Sequence, residues 1–449
     1  MKRLLCAAAL SVFSFSLAPM GMAQAQSLQE TLVAAYESNP TLGAQRASLR
    51  QSEEGYFQAR ANVLPSLSAN GSVGETLDTW GGAQESDSSS YGLTLNQSIY
   101  RGGRTRGSID AALSRIEAAR QQLRSTEQSV LLDAVSAHMN VVRDQQIIAI
   151  RSNNVEVLAE QLRAARDRFE VGEITRTDVA QAEARLSGAR AQLSAAQAAL
   201  AASRAGYARV TGVDPIQPVS AGPAEQAPDE FADAAEVAIS RNPDLLAAQF
   251  AEMAAEHGVR VARGAQLPEV GLRASISEGR ESDFSGQGRG SASVTASVTM
   301  PIFTGGLNRS NVRQARASAD QARLSALTVR RQVIEGATNA WNNYLAALAV
   351  IESSRQAVRA NEIAFEGVEQ EALVGLRTTL DVLNAEQELL NSRLELVRAE
   401  RDLTVASYAL LQAMGQLDAA SLALPVDAVD VESRFEESRG ANFDLTPWN

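Results

Sequence analysis

The chain has 449 residues, 45% hydrophobic, 21% charged and 5% aromatic, with one Cys, two His and a formal net charge of −12. That acidic balance excludes a general nucleic-acid binder, which needs a basic footprint, so no nucleic-acid partner is expected. One Cys rules out a disulfide framework, and one Cys with two His leave little room for a zinc or haem site, so neither metal nor cofactor is expected.

Residues 1–25 combine the basic pair Lys2 and Arg3, an apolar run from Leu4 to about Leu17, and the small-x-small triplet Ala23-Gln24-Ala25. This pattern predicts a cleaved signal peptide, since the run is shorter than the ~20 apolar residues of a spanning helix. Cys6 lies inside it, so the mature chain is expected to carry no thiol. Beyond Ala25 every apolar stretch is broken by Arg, Glu, Asp or Gln, and no spanning helix is predicted.

The first structural repeat, residues 26–210, contains a helix starting at Asn39-Pro40, where Asn caps free amides and Pro fits the first turn. Leu64-Pro65 ends it. The period then becomes two: Leu67, Ala69, Gly71 and Val73 alternate with small polar residues, as do Tyr91, Leu93, Leu95 and Ile99, which predicts a β-hairpin at about 66–100. Trp80, Tyr91 and Tyr100 fall near the strand ends, as an aromatic girdle would place them. Gly102-Gly103 lacks the Lys-Ser/Thr ending of a phosphate loop and reads as a strand-to-helix bend.

From Gly103 a 3.5 period takes over. Ile109, Ile116, Leu123, Val130 and Ala137 form one seam, and Leu113, Ala134, Val141, Ile148 and Val155 the other, predicting a coiled coil. Roughly 65 residues at ~1.5 Å each give a helix ~100 Å long, beyond any compact domain. Val171-Gly172 breaks it, and Val179, Ala182, Leu186 and Ala189 resume a three-four spacing. The result is a helical hairpin with its tip at Gly172.

Residues 211–230, with Pro215, Pro218, Pro223 and Pro228, form a linker. Residues 231–415 then rewrite the first repeat at a constant offset. Asn39-Pro40 becomes Asn242-Pro243, Leu64-Pro65 becomes Leu267-Pro268, Gly102 becomes Gly305, Gly172 becomes Gly375, Asp178 becomes Asp381 and Glu183 becomes Glu386. The second β-hairpin is expected at about 268–303, with Phe284 and Phe303 near its ends, and the second helical tip at Gly375. Residues 416–449, acidic and without sustained period, are expected to form a disordered tail.

Four strands cannot close a barrel in one chain, and a lipid-facing sheet edge leaves each unpaired amide costing several kcal/mol, so oligomerisation is required. The strand count is met by a dimer giving eight strands or a trimer giving twelve.

Asn39-Pro40, Leu64-Pro65, Ile99-Tyr100-Arg101-Gly102-Gly103, Val171 through Val179 and Val374 through Leu383 together resemble TolC-type outer-membrane factors over about Leu28 to Gly415. The resemblance implies a mostly α protein with β structure: a homotrimer forming a 12-stranded outer-membrane β-barrel, continued by a periplasmic α-helical barrel in a Gram-negative bacterium. It implies a passive exit duct, not an enzyme, for a tripartite efflux pump or type I secretion system. Its partners would be outer-membrane lipid, a periplasmic adaptor (membrane fusion protein) and an inner-membrane pump of RND, MFS or ABC type.

The same resemblance implies a periplasmic gate in which Arg377 bonds to Thr177 and Asp178 of a neighbour, with Gln161 and Asp167 on the matching stretch of the partner helix. Asp381 would form an acidic ring at the entrance, and Gly172, Glu173, Gly375 and Leu376 would dock the adaptor. Ala372 stands where some relatives carry a gate aromatic and Asn384 where some carry a second ring carboxylate. Read locally, Thr175-x-x-Asp178 and Thr378-x-x-Asp381 are capping boxes that need no further role. His138 and His257 have no companions at metal spacing and read as incidental. The rival reading is a periplasmic coiled-coil scaffold or adaptor with a soluble sheet; an envelope hydrolase would need an active-site constellation that no motif supplies.

Overall fold

The computed structural model describes residues 26–78, 84–225, 228, 230–281, 289–426 and 433–436. The expected signal peptide, Trp80 and Phe284 lie outside the described residues. The elements are α1 (Leu28–Ser38), α2 (Pro40–Ala61), β1 (Ser66–Asp78), β2 (Gln84–Arg101), α3 (Arg104–Glu170), α4 (Arg176–Thr211), α5 (Phe231–Arg241), α6 (Pro243–Gly264), β3 (Glu269–Glu281), β4 (Arg289–Thr299), α7 (Leu307–Leu373) and α8 (Thr379–Ala413).

Each Asn-Pro pair starts a helix as its chemistry dictates: Asn39 Oδ1 accepts from Thr41 N–H at 2.9 Å, and Asn242 Oδ1 from Asp244 N–H at 3.0 Å. The long helices α3 and α7 each run 67 residues. Two helices were not anticipated, α1 and α5, which precede the Asn-Pro starts. α1 carries its own capping box, with Ser27 Oγ accepting from Glu30 N–H at 3.2 Å and Glu30 accepting from Ser27 N–H at 3.1 Å.

The two β-hairpins join through β2 and β3 into one antiparallel sheet of order β1-β2-β3-β4. Its register sorts side chains by chemistry. Leu67, Leu95, Ala274 and Val294 lie in one row, and Ala69, Leu93, Ile276 and Ala292 in the next; the opposite face carries Ser68, Thr94, Ser275 and Ser293. The apolar face is uncovered, Leu67 being 69% and Val294 74% exposed. On the other face hydroxyls pair across strands, Ser275 with Ser293 and Ser277 with Ser291, both at 2.9 Å. The outer backbone edges of β1 and β4 have no strand partner in this sheet.

The helical wall follows the order α2, α3, α6, α7, with α4 packed on α3 and α8 on α7 and α3. The main core lies midway, where Leu28, Leu32 and Tyr36 of α1 meet Leu131, Val135 and Met139 of α3, Tyr207 of α4 and Leu411 of α8. Within it Thr31, His138 and Tyr207 form a buried chain: Thr31 Oγ1 lies 2.8 Å from His138 Nδ1 and 3.0 Å from the Tyr207 hydroxyl. His138 Nε2 lies 2.8 Å from the Val219 carbonyl, which can only accept, so Nε2 carries the hydrogen and Nδ1 accepts from Thr31. His138 is therefore a structural hydrogen-bonding residue.

The same core departs from the expectation of a disordered tail over residues 416–426, the rest of 416–449 apart from 433–436 lying outside the described residues. Leu417, Ala419 and Leu424 are buried in it, Arg124 bonds Asp418 at 3.0 Å, and the half-buried Glu127 carboxylate accepts from Ala419 N–H at 2.7 Å. Further on, Phe435 packs edge-on to Tyr56 with centroids 5.5 Å apart, and Arg434 pairs with Glu53 at 3.3 Å. Isolated apolar anchors hold these residues, and isolated anchors leave no period to read.

Candidate functional site at the hairpin tips

Both tips turn on a glycine in the left-handed region, Gly172 at φ 82° and Gly375 at φ 80°, and in both cases a Cβ would meet nothing within 4 Å. Glycine is required there by backbone conformation alone. At each turn an Arg–Glu pair ties the incoming helix to the turn itself: Arg168 with Glu173 at 3.1 Å, and Glu371 with Arg377 at 2.7 Å. The polarity is reversed between copies, the cation preceding the first turn and following the second.

After each turn the helix restarts in the same way. Asp178 Oδ2 accepts from Thr175 N–H at 2.9 Å and from the Thr175 hydroxyl at 2.7 Å. Asp381 Oδ2 accepts from Thr378 N–H at 3.0 Å and from its hydroxyl at 2.8 Å, while Thr378 Oγ1 accepts from Asp381 N–H at 3.2 Å. These donors hold both carboxyls below the usual Asp range, the Thr175 hydroxyl leading at Asp178 and the Thr378 amide at Asp381. Both carboxylates are thus fixed as anions pointing at a helix N-terminus.

Within one chain Arg377 is held by Glu371 and is not joined to Thr177 or Asp178. Thr177 is exposed, and Asp167, also exposed, accepts from Val171 N–H through its main-chain carbonyl at 3.4 Å. Within the chain Gln161 Nε2 donates to Glu386 Oε2 at 2.8 Å, tying α3 to α8. Asn154 of α3 donates to Glu386 Oε1 at 3.1 Å, and Arg185 of α4 donates to Asn384 Oδ1 at 3.1 Å. Leu383 is buried beneath them against Leu158, Leu162, Ala182 and Leu186. Sequence reading used Glu386 only as a landmark of the duplication. Four apolar side chains at the tips, Val171, Leu373, Val374 and Leu376, are each more than 70% exposed.

Among the described residues no helix is long and apolar enough to cross a membrane, and no group of three or more His, Cys, Asp or Glu side chains could hold a metal ion.

A sheet apolar on one face and hydroxylic on the other, running into helices of 67 residues, defines a subunit of an envelope channel. The outer membrane efflux protein family profile matches residues 31–213 and 234–416, the two segments offset like the landmarks of the sequence. The chain belongs to the outer membrane efflux protein family. It is 37% identical to the outer membrane efflux protein BepC of Brucella suis over 426 residues, covering 94% of this chain and 92% of that protein. It is 26% identical to the outer membrane protein TolC of Vibrio cholerae over 403 residues, covering 88% and 91%. Its fold resembles the CmeC outer membrane channel of Campylobacter jejuni with a TM-score of 0.77 at 18% identity, covering 93% of this chain and 90% of that one. The protein is an outer-membrane efflux channel subunit of TolC type, with a tunnel reaching into the periplasm.

Proposed function

We propose that three copies pool their sheets into a 12-stranded barrel, apolar face to lipid and hydroxylic face to the lumen, continued by a ring of helices to the hairpin tips. The observation that carries this reading is a four-stranded sheet with an uncovered apolar face and two edges without strand partners. Each chain supplies a wall of four strands and four helices, and closure by like copies pairs both edges at once. Such an assembly is the passive exit duct of a tripartite efflux pump or a type I secretion system. Cargo is selected by an inner-membrane pump of RND, MFS or ABC type and delivered through a periplasmic adaptor.

Closure of the periplasmic end is assigned to the second hairpins. Arg377 exchanges Glu371 for Thr177 and Asp178 of the neighbour, and three Asp381 carboxylates ring the axis. The exposed apolar residues flanking Gly172 and Gly375 dock the adaptor, with Glu173 and Leu376 at the contact; thiol crosslinking from Glu173→Cys or Leu376→Cys to the adaptor tests that placement.

Purified protein in a planar bilayer is expected to conduct weakly, and Arg377→Ala to conduct more. Absence of current from both forms overturns the duct. Recovery of the protein in the soluble periplasmic fraction without detergent selects the scaffold reading instead.

A further inference from the structure

We propose that Glu386 is a positioning residue that latches the second helical hairpin onto the first within each chain, and that the latch tightens when its carboxyl takes up a proton. The proposal deepens the gated-duct reading and rests on it, because it names what sets the second hairpin's position.

The geometry comes first. Glu386 is 8% exposed, yet both of its oxygens are bound by the other repeat, Oε1 by Asn154 and Oε2 by Gln161. The side-chain amides of α3 thus grip one residue of α8, one turn beyond the buried Leu383. Neither amide carries a charge, so the carboxylate is buried without a counter-ion in contact.

The surrounding charges are mostly of the same sign. Glu386 lines a cavity of about 670 Å³ between α3, α7 and α8, into which α7 contributes Glu362, Glu366 and Glu369, and α8 contributes Arg393. Arg393 is already engaged by Glu362 at 2.9 Å. From α3 come the neutral Asn153, Asn154 and Gln161, and from α4 comes Arg185, which is committed to Asn384. Burial, opposed by the two amide donors and assisted by Glu369, pushes the Glu386 carboxyl above its ordinary range.

A second observation points the same way. Gln161 Oε1 is buried and accepts no hydrogen bond. Turning that amide over presents Oε1 to Glu386, where only a protonated carboxyl can donate to it. The neutral acid can therefore bond the Gln161 amide in either orientation, and the anion in only one, while Asn154 keeps its bond to the other oxygen.

The sign follows from linkage. The docked carboxyl binds its proton more tightly than one freed into solvent, so lowering the pH favours docking and raising it favours separation of the hairpins. The duplication supplies an internal contrast: Glu183, the equivalent residue of the first repeat, pairs with Arg166 at 2.5 Å and is half-exposed, so it lacks the burial that makes Glu386 sensitive.

Leu383→Cys reports the latch, because that position is 3% exposed when the hairpins are docked. The measurement is its maleimide labelling rate in the full-length trimer in detergent, divided at each pH by that of an exposed Glu173→Cys thiol. With Glu386 present the ratio is expected to rise severalfold from about pH 5 to about pH 8. Glu386→Gln, which keeps an acceptor for Asn154 and offers a donor to Gln161, is expected to hold the ratio low and flat. Glu386→Ala is expected to raise it at all pH values by about tenfold or more, the scale of one buried charge-assisted hydrogen bond. Amide hydrogen exchange over residues 379–390 in the two Glu386 variants without the added thiol gives the same ranking if Leu383→Cys itself loosens the cluster. An unchanged pH response in Glu386→Gln, or an unchanged ratio in Glu386→Ala, overturns the latch. Conductance recorded on the same variants separates the two readings: labelling that responds while conductance does not sinks the gate and leaves the latch standing.

Discussion

The two repeats place different chemistry at equivalent points of one backbone plan. Thr31, His138 and Tyr207 of the first copy correspond at the common offset to Ala234, Trp341 and Leu410 of the second. The first set forms a buried hydrogen-bonded chain and the second a dry cluster completed by Met414. Both solutions hold a short helix, α1 or α5, against a long one. The duplicated pattern thus dictates where a junction falls, and the particular side chains dictate how it responds to its surroundings.

The long helices extend this contrast. α3 buries nineteen residues and α7 only seven, although their lengths are equal. α3 sits between α2 and α6, whereas α7 ends the wall of the chain and leaves Leu324, Leu327, Leu345, Leu348 and Ile363 exposed. In the proposed trimer the uncovered face of α7 and the free edge of β4 are the surfaces left for the next chain.

The sharpest way to break this comparison is to charge that face. Leu345→Arg with Leu348→Arg is expected to abolish the trimer, read as native mass in detergent, while each chain keeps its helical content. By contrast, Leu131→Ala, in the fully buried part of α3, is expected to cost about 2–5 kcal/mol in unfolding free energy. A trimer that survives the double substitution puts the neighbour elsewhere.

Next in size is the strand-to-helix bend. Gly102 and Gly305 have nearly equal φ, 62° and 60°, but a Cβ at Gly102 would lie 2.3 Å from the Gly264 carbonyl oxygen and one at Gly305 would meet nothing within 4 Å. Gly305→Ala is expected to cost only the backbone strain, about 1–2 kcal/mol. Gly102→Ala adds a main-chain collision and is expected to lower the melting temperature several times as much; equal losses would remove the distinction.

The smallest effect is a pH slope confined to the first copy. Burial holds the His138 ring below its ordinary pKa, so the unfolded chain binds the proton more tightly. Its contribution is complete above about pH 6.5 and is lost as the pH falls through the unfolded value toward the lower folded one. Thermal unfolding of His138→Gln is expected to be less stable near neutrality and to lack that component of the acid slope.

Regular elements were legible in the sequence because their signals are local and repeated. The Asn-Pro starts, the period of two from Leu67 to Ile99 and the 3.5 period beyond Gly103 each reflect one backbone geometry. The capping boxes at Thr175 and Thr378 were legible for the same reason. α1 is less legible although Ser27-x-x-Glu30 has the form of a capping box, because the Asn-Pro pair twelve residues on is the stronger start signal. Phe435 and Leu417 could not be read as anchors, since each fills a site built by segments far away in sequence. Glu386 looked identical to Glu183 in its motif; only the packing of α8 on α3 tells the two apart.

The central core also bears on the expected order of folding. It joins Leu28 and Leu32 to Leu417 and Leu424, roughly 390 residues apart, and contacts of such separation form late and slowly. The hairpins, whose contacts are local, are expected to zip while this waist is still open, and the girdle is expected to close last around arms already built.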